Sequence, residues 1–162
     1  MSVFKSRDKD AYPIVNPPSA FSENEYLYKW TVELNEATQS NLCNGKMVYV
    51  KDKKQVYADM KEVLRRSGIL FVLCDFHSDA KSIKEYVVFG KTMKIPIGAL
   101  KFATENTENV FFAGFRWDFD GLYRLDIFKM QKSDGNYEDS YIKHLTAYVS
   151  RYPYTWQNWE HV

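Results

Sequence analysis

Lys53 to Cys74 reads KKQVYADMKEVLRRSGILFVLC, and that passage decides the fold class. Val56, Met60, Val63 and Leu64 recur at helical spacing with charges between them, so residues 53–66 are expected to form an amphipathic helix. Gly68 follows, in the place where a C′ glycine commonly ends a helix. Ile69 to Cys74 is then unbroken apolar sequence, as in a strand covered on both faces. A helix running through a glycine into a buried strand is the repeating unit of an α/β fold. Asp75 stands at the C-terminal end of that strand, where open α/β sheets bind their ligands.

Towards the N-terminus, Met47 to Val50 reads as a short strand after the turn signal Asn44-Gly45. Before it, Ser22 caps a helix that carries Tyr26, Leu27, Trp30, Leu34 and Ala37 at helical spacing up to about Ser40. Residues 1–20 are polar and hold Pro13, Pro17 and Pro18, so they are expected to form an extended arm. Towards the C-terminus, Phe76 to Lys84 reads as a loop, and Tyr86 to Phe89 as a strand that stops at Gly90. Pro96 suits the first turn of a helix running through Ala99, Leu100, Phe102 and Ala103. Val110 to Phe119 and Leu122 to Phe128 are expected as strands around Asp120-Gly121, a strong hairpin signal. Ser133 to Asn136 is a loop. Tyr137 to Arg151 forms a helix with Tyr141, Ile142, Leu145, Tyr148 and Val149 on one side, ended by Pro153. The expected architecture is a single-domain α/β sandwich over residues 21–162, with a mixed sheet flanked by helices.

The chain has 162 residues, enough for one domain with a core of its own. At 45% hydrophobic and 27% charged it is no disordered segment. Lys and Arg number 22 against 21 Asp and Glu, and a net charge of +1 argues against nucleic acid as a partner. Two cysteines are too few for a disulfide scaffold and fit a reducing compartment. Residues 1–10 are charged, with no apolar core of a secretory signal, and no run approaches the ~18 apolar residues of a spanning helix. The expected location is therefore cytoplasmic, soluble or peripheral to a membrane. Aromatic residues make up 17% of the chain, and core filling is preferred over a ligand role for them. Two aromatic stretches are nonetheless candidates for an exposed interface: the helix face with Tyr26, Leu27, Trp30 and Leu34, and the tail with Tyr152, Tyr154, Trp156 and Trp159.

The metal-ligating candidates are His77, His144, His161, Cys43 and Cys74, with no CxxC or HxxxH spacing among them. His77-Ser78-Asp79 gathers polar groups just after Asp75, which reads as a polar loop in preference to a mononuclear metal site. No metal and no cofactor are expected. GxSxG, the P-loop and GxGxxG are all missing. Asp75 is either an acid–base group with a raised pKa or a loop cap accepting backbone N–H bonds, and the cap is preferred. Gly90 is expected to allow a close approach or a positive φ, setting Phe89 against the Asp75 loop.

Five short elements follow one another in a familiar order over roughly Gly45 to Val162. They are the helix, glycine, apolar strand and aspartate of Leu64 to Asp75, then Val87-Val88-Phe89-Gly90, and Pro96-Ile97-Gly98-Ala99-Leu100. Phe112-Ala113-Gly114-Phe115-Arg116 and Tyr152-Pro153-Tyr154-Thr155-Trp156 complete the series. This order resembles the C-terminal half of the bacterial lipid A biosynthesis acyltransferases, the lauroyl/myristoyl transferase family. That family moves an acyl chain from acyl carrier protein to a glycolipid hydroxyl, using a His-x4-Asp/Glu dyad as base and orienting acid. The chain departs from the family here. The residue five after His77 is Ser82, the residue five after His144 is Val149, and His161 lies too close to the end. The arginine that the family places before the Gly45 position is replaced by Cys43-Asn44. The resemblance implies a partial, split or accessory acyltransferase peripheral to the inner membrane, with Asp75, His77, Phe89, Gly90 and Arg116 at the substrate and no catalytic residue identified. Its implied partners are acyl carrier protein or lipid, and a second copy or a complementary chain. The alternatives are a non-enzymatic lipid- or protein-binding module with an apolar aromatic surface, and an unrelated function on a similar architecture.

Overall fold

The structure, a computed structural model, describes residues 10–15, 26, 29–30, 32–34, 37, 48–49, 53–74, 82–118 and 120–156. Its fold is mixed α/β, with parallel and antiparallel strand pairs distributed over three small sheets. The chain divides into two compact units, Met1–Leu73 and Cys74–Val162.

The first unit is built on β1 (Ala11–Val15), β2 (Val48–Tyr49) and β3 (Ile69–Val72), all parallel, in the order β2-β1-β3. Parallel neighbours need crossovers, usually helical. Tyr26, Lys29, Trp30, Val32, Glu33, Leu34 and Ala37 are helical between β1 and β2, and α1 (Lys53–Arg65) lies between β2 and β3. Helix α1 buries Val56, Met60 and Val63, as the sequence periodicity anticipates. Its end departs from expectation. Ser67, not Gly68, takes the left-handed conformation, at φ 59°. The Ser67 N–H donates to Leu64 O and the Gly68 N–H to Val63 O, which together make a Schellman closure with Ser67 at C′.

Of the segment expected as an arm, Ala11–Val15 is a strand and lies in the middle of a sheet. Ala11 to Ile14 pair with Ile69 to Val72, and Ile14 and Val15 pair with Val48 and Tyr49. A proline is unexpected in a middle strand, because it lacks the ladder donor. Among the described residues β2 pairs only beyond Pro13, so the proline sits where β1 has a registered partner on one side alone. Strand β3 is half-buried along its length and Leu73 is exposed, so the apolar run is not covered on both faces.

The second unit begins with the hairpin β4 (Ile83–Val88) and β5 (Lys91–Pro96). Helix α2 (Gly98–Asn106), the hairpin β6 (Phe111–Trp117) and β7 (Tyr123–Lys129), helix α3 (Glu138–Arg151) and a 3₁₀ turn at Pro153–Thr155 follow. Pro96 ends β5 opposite Ile83 instead of opening a helix, and α2 starts after Ile97. The core joins Val88, Met93 and Ile95 of the first hairpin to Phe112 of the second, and both to Tyr141, Leu145, Tyr148 and Val149 of α3. Trp156 also lies in this core, with 7% of its surface exposed.

Candidate functional site

Asp75 and His77 lie outside the described residues, as do Cys43 and His161. Among the described residues no group of three or more His, Cys, Asp or Glu side chains could hold a metal ion. His144 is engaged elsewhere: its Nδ1 lies 2.7 Å from Ser140 O, and its ring packs 5.8 Å from the rings of Phe112 and Phe128.

Phe89-Gly90 forms the two-residue loop between β4 and β5, with φ of 53° and 77°. Positive φ at both positions is the twist of a type I′ turn, which matches the right-handed twist of its strands. The expected special backbone at Gly90 is therefore present. The Phe89 ring stands 6.0 Å from Trp156, so the turn is anchored on the core.

Arg116 sits on the inward side of β6 and is held by its neighbours. Its Nε donates to Asp126 Oδ2 at 2.8 Å, its Nη1 pairs with Asp118, and its guanidinium lies 5.1 Å from the Tyr152 ring centroid. Arg124 pairs with the same Asp118 and, at 3.1 Å, with Asp120. The hydrogen bond to Asp126 and the nearby carboxylates raise the Arg116 pKa further. These contacts give Arg116 a structural task, closing the hairpin onto Tyr152. The Tyr148 hydroxyl shares Asp126 with it at 3.3 Å, and burial together with that carboxylate pushes the Tyr148 pKa well up.

The chemistry that the sequence reading missed lies on the other side of the same hairpin. Residues alternate across a strand, so Phe112, Gly114 and Arg116 face α3 while Phe111, Ala113, Phe115 and Trp117 face away. Register carries the outward face onto β7, because Phe111 pairs with Lys129, Ala113 with Ile127, Phe115 with Leu125 and Trp117 with Tyr123. Seven of those eight outward positions are apolar. Phe111 (53%), Phe115 (57%), Trp117 (58%), Tyr123 (79%) and Ile127 (53%) each keep more than half of their surface in solvent. Monomers rarely leave contiguous apolar patches beyond a few hundred Å² unless they bind something. The signal was present in Val110 to Trp117, where apolar residues occupy the outward as well as the inward positions.

The two stretches singled out for exposure fare differently. Tyr26, Trp30 and Leu34 are exposed on their helical stretch, and Leu27 lies outside the described residues. Among the described tail residues, Trp156 is buried, Tyr152 packs 5.1 Å from Tyr148, and Tyr154 is largely exposed. Trp159 lies outside the described residues. Among the described residues no helix is long and apolar enough to cross a membrane.

No family model matches the chain, and no curated protein matches it significantly.

Proposed function

We propose that this chain is a non-enzymatic binding module that works through the outer face of the β6–β7 hairpin. The observation that carries the reading is that face itself: five large apolar side chains, each more than half exposed, on one side of a sheet whose other side is already packed on α3. Arg116, the one charged residue among the substrate-site candidates that is described, holds Asp118 and Asp126 with Nη1 and Nε and lays its flat face over Tyr152. The acyltransferase-like reading, with lipid or acyl carrier protein as partner, rests on the order of the five sequence elements. Binding of a hydrophobic dye tests the surface reading. The wild-type chain should enhance bis-ANS fluorescence at low protein concentration, and Phe115→Asp, which removes the centre of the face, should abolish most of that signal without lowering the melting temperature. Equal dye binding by the two proteins would remove the face as the binding surface.

A further inference from the structure

The occupant of the face can be argued from its area, its flatness and the charges at its two ends. This rests on the reading above that the outer face of β6–β7 is the binding surface. Aromatic side chains present ~150–250 Å² each. Five large residues exposed by half or more therefore offer on the order of 500 Å² per chain, or roughly 1,000 Å² when two such faces meet. That sum reaches the lower limit of a specific interface and belongs to a weak, reversible one. Two twisted sheets pack face to face at about 10 Å with side chains interdigitating, which a short two-stranded face can do with its own copy. A hairpin is marginal by itself, and a second layer over its outer side would complete the sandwich that α3 begins on the inner side.

The charges select among partners. The loop end of the hairpin carries Asp118 and Asp120, and the basic residues beside them, Arg116 and Arg124, are already neutralised by those aspartates and Asp126. An anionic lipid surface is recognised by unpaired Lys and Arg, and both arginines at this end are paired; Asp118, Asp120 and Asp126 outnumber them by one charge, which leaves the loop end net negative with Asp120 half-exposed. The open end carries Lys129, the single charged residue among the outward positions. A two-fold axis lying between the two sheets and across the strands reverses one hairpin over the other. It then places Lys129 of each copy beside the acidic loop end of its mate, twice. The chain's net charge of +1 adds almost no long-range repulsion.

We propose that this protein forms a reversible homodimer by face-to-face packing of the outer side of β6–β7, with Lys129 set opposite the Asp118–Asp120 loop of the second copy. Sedimentation velocity across the micromolar range tests it. The wild-type chain should pass from monomer to dimer as concentration rises. Phe115→Asp and, separately, Ile127→Lys should raise the dissociation constant roughly tenfold or more, with unchanged melting temperatures at concentrations where the wild type is monomeric, since both positions are exposed in the single chain. Lys129→Asp should weaken the dimer, and adding Asp120→Lys in the same chain should restore it, a rescue that no purely structural role for either residue produces. A wild-type chain that stays monomeric throughout, or a dimer untouched by both face variants, overturns the proposal. If the monomeric chain still binds bis-ANS through Phe115, the homodimer falls and the binding-module reading stands; if it binds neither, both fall. A monomer that floats with anionic phosphatidylglycerol vesicles overturns the homodimer in favour of a lipid surface.

Discussion

Replacing Gly114 with alanine should destabilise the second unit through one contact. A Cβ built on Gly114 would stand 2.4 Å from Cζ of Tyr148 and 2.6 and 2.7 Å from its Cε atoms, where ordinary contact begins at 3.4 Å. The ring must therefore withdraw by about 1 Å. Cζ is the far end of a side chain and could move cheaply in an open site. Here the ring is boxed by Phe112 at 5.8 Å, Phe128 at 6.5 Å and Tyr152 at 5.1 Å, and its hydroxyl is tethered to Asp126. Overpacking of this kind costs ~1–3 kcal/mol, against ~0.5–1 kcal/mol that alanine returns by restricting the unfolded chain. The net loss is up to about 2.5 kcal/mol and about 1.3 kcal/mol at the midpoints of the two ranges, which lowers the melting temperature of a unit this size by about 5–10 °C. Urea and thermal unfolding followed by near-ultraviolet circular dichroism would read both the stability and the tyrosine packing. The double variant Gly114→Ala with Tyr148→Leu separates the steric account from any other, because alanine should cost less once the ring is gone. An unchanged melting temperature for Gly114→Ala, or the same loss in the two backgrounds, would refute the argument.

Two further outcomes follow from geometry already described. Gly90 has φ of 77° and no neighbour within 4 Å of a built Cβ, so the penalty of Gly90→Val is one of backbone alone. It should lose more than ~1 kcal/mol in urea unfolding, while Gly90→Asn, which tolerates the left-handed region, should lose less. Glu138 is 7% exposed and accepts bonds from Lys84 Nζ at 2.7 Å and the Tyr86 hydroxyl at 2.6 Å. Burial pushes its pKa up, but those two hydrogen bonds and the nearby lysine charges more than offset it, leaving it below the usual carboxylate value. A carboxylate depressed in the folded state stabilises fully above its unfolded pKa of about 4.3, and the stabilisation fades as pH falls towards the lowered folded value. Glu138→Gln should therefore be less stable than wild type at neutral pH, and the gap should narrow through that acidic window. A gap that is constant from neutral to strongly acid pH would show that the charge on Glu138 is not what holds Lys84 and Tyr86.

Helices α1 and α3 were legible because Val56, Met60 and Val63, and Tyr141, Leu145, Tyr148 and Val149, repeat at a period that only a helix satisfies. The β6–β7 hairpin was legible from Asp120-Gly121 between two apolar runs, although its loop is longer than two residues. Gly121 N–H closes onto Asp118 O, and Asp118 N–H onto Leu122 O. Of the two Asp-Gly pairs it is Asp134-Gly135, both at positive φ between the bridged Ser133 and Asn136, that takes the tight two-residue geometry also seen at Phe89-Gly90. Strand β5 was obscured because Lys91, Thr92 and Lys94 dilute its apolar content and Pro96 imitates a helix start. Its alternation, with Met93 and Ile95 buried, is nonetheless visible once the hairpin is known. Strand β1 was illegible in a stronger sense. Nothing within Ala11–Val15 names partners at residues 48–49 and 69–72, and parallel pairing at such separation leaves no local trace. Of the candidate site residues, Gly90 announced its conformation, whereas the task of Arg116 depends on Asp126 and Tyr152, which only tertiary structure brings beside it.

The position of β1 governs the order in which the first unit can assemble. During synthesis Ala11–Val15 leaves the ribosome first, yet it is the strand both others must join, and the longer of its two partners is complete only at Val72. Until then it waits with two unsatisfied edges, the condition under which nascent strands find the wrong neighbour. Pro13, at the midpoint of the five residues and registered with Phe71, has no N–H, so it withholds one ladder donor from any neighbour that arrives early. The central strand of the first unit is thus also the one that can offer fewer ladder bonds than its length suggests, to wrong and right neighbours alike.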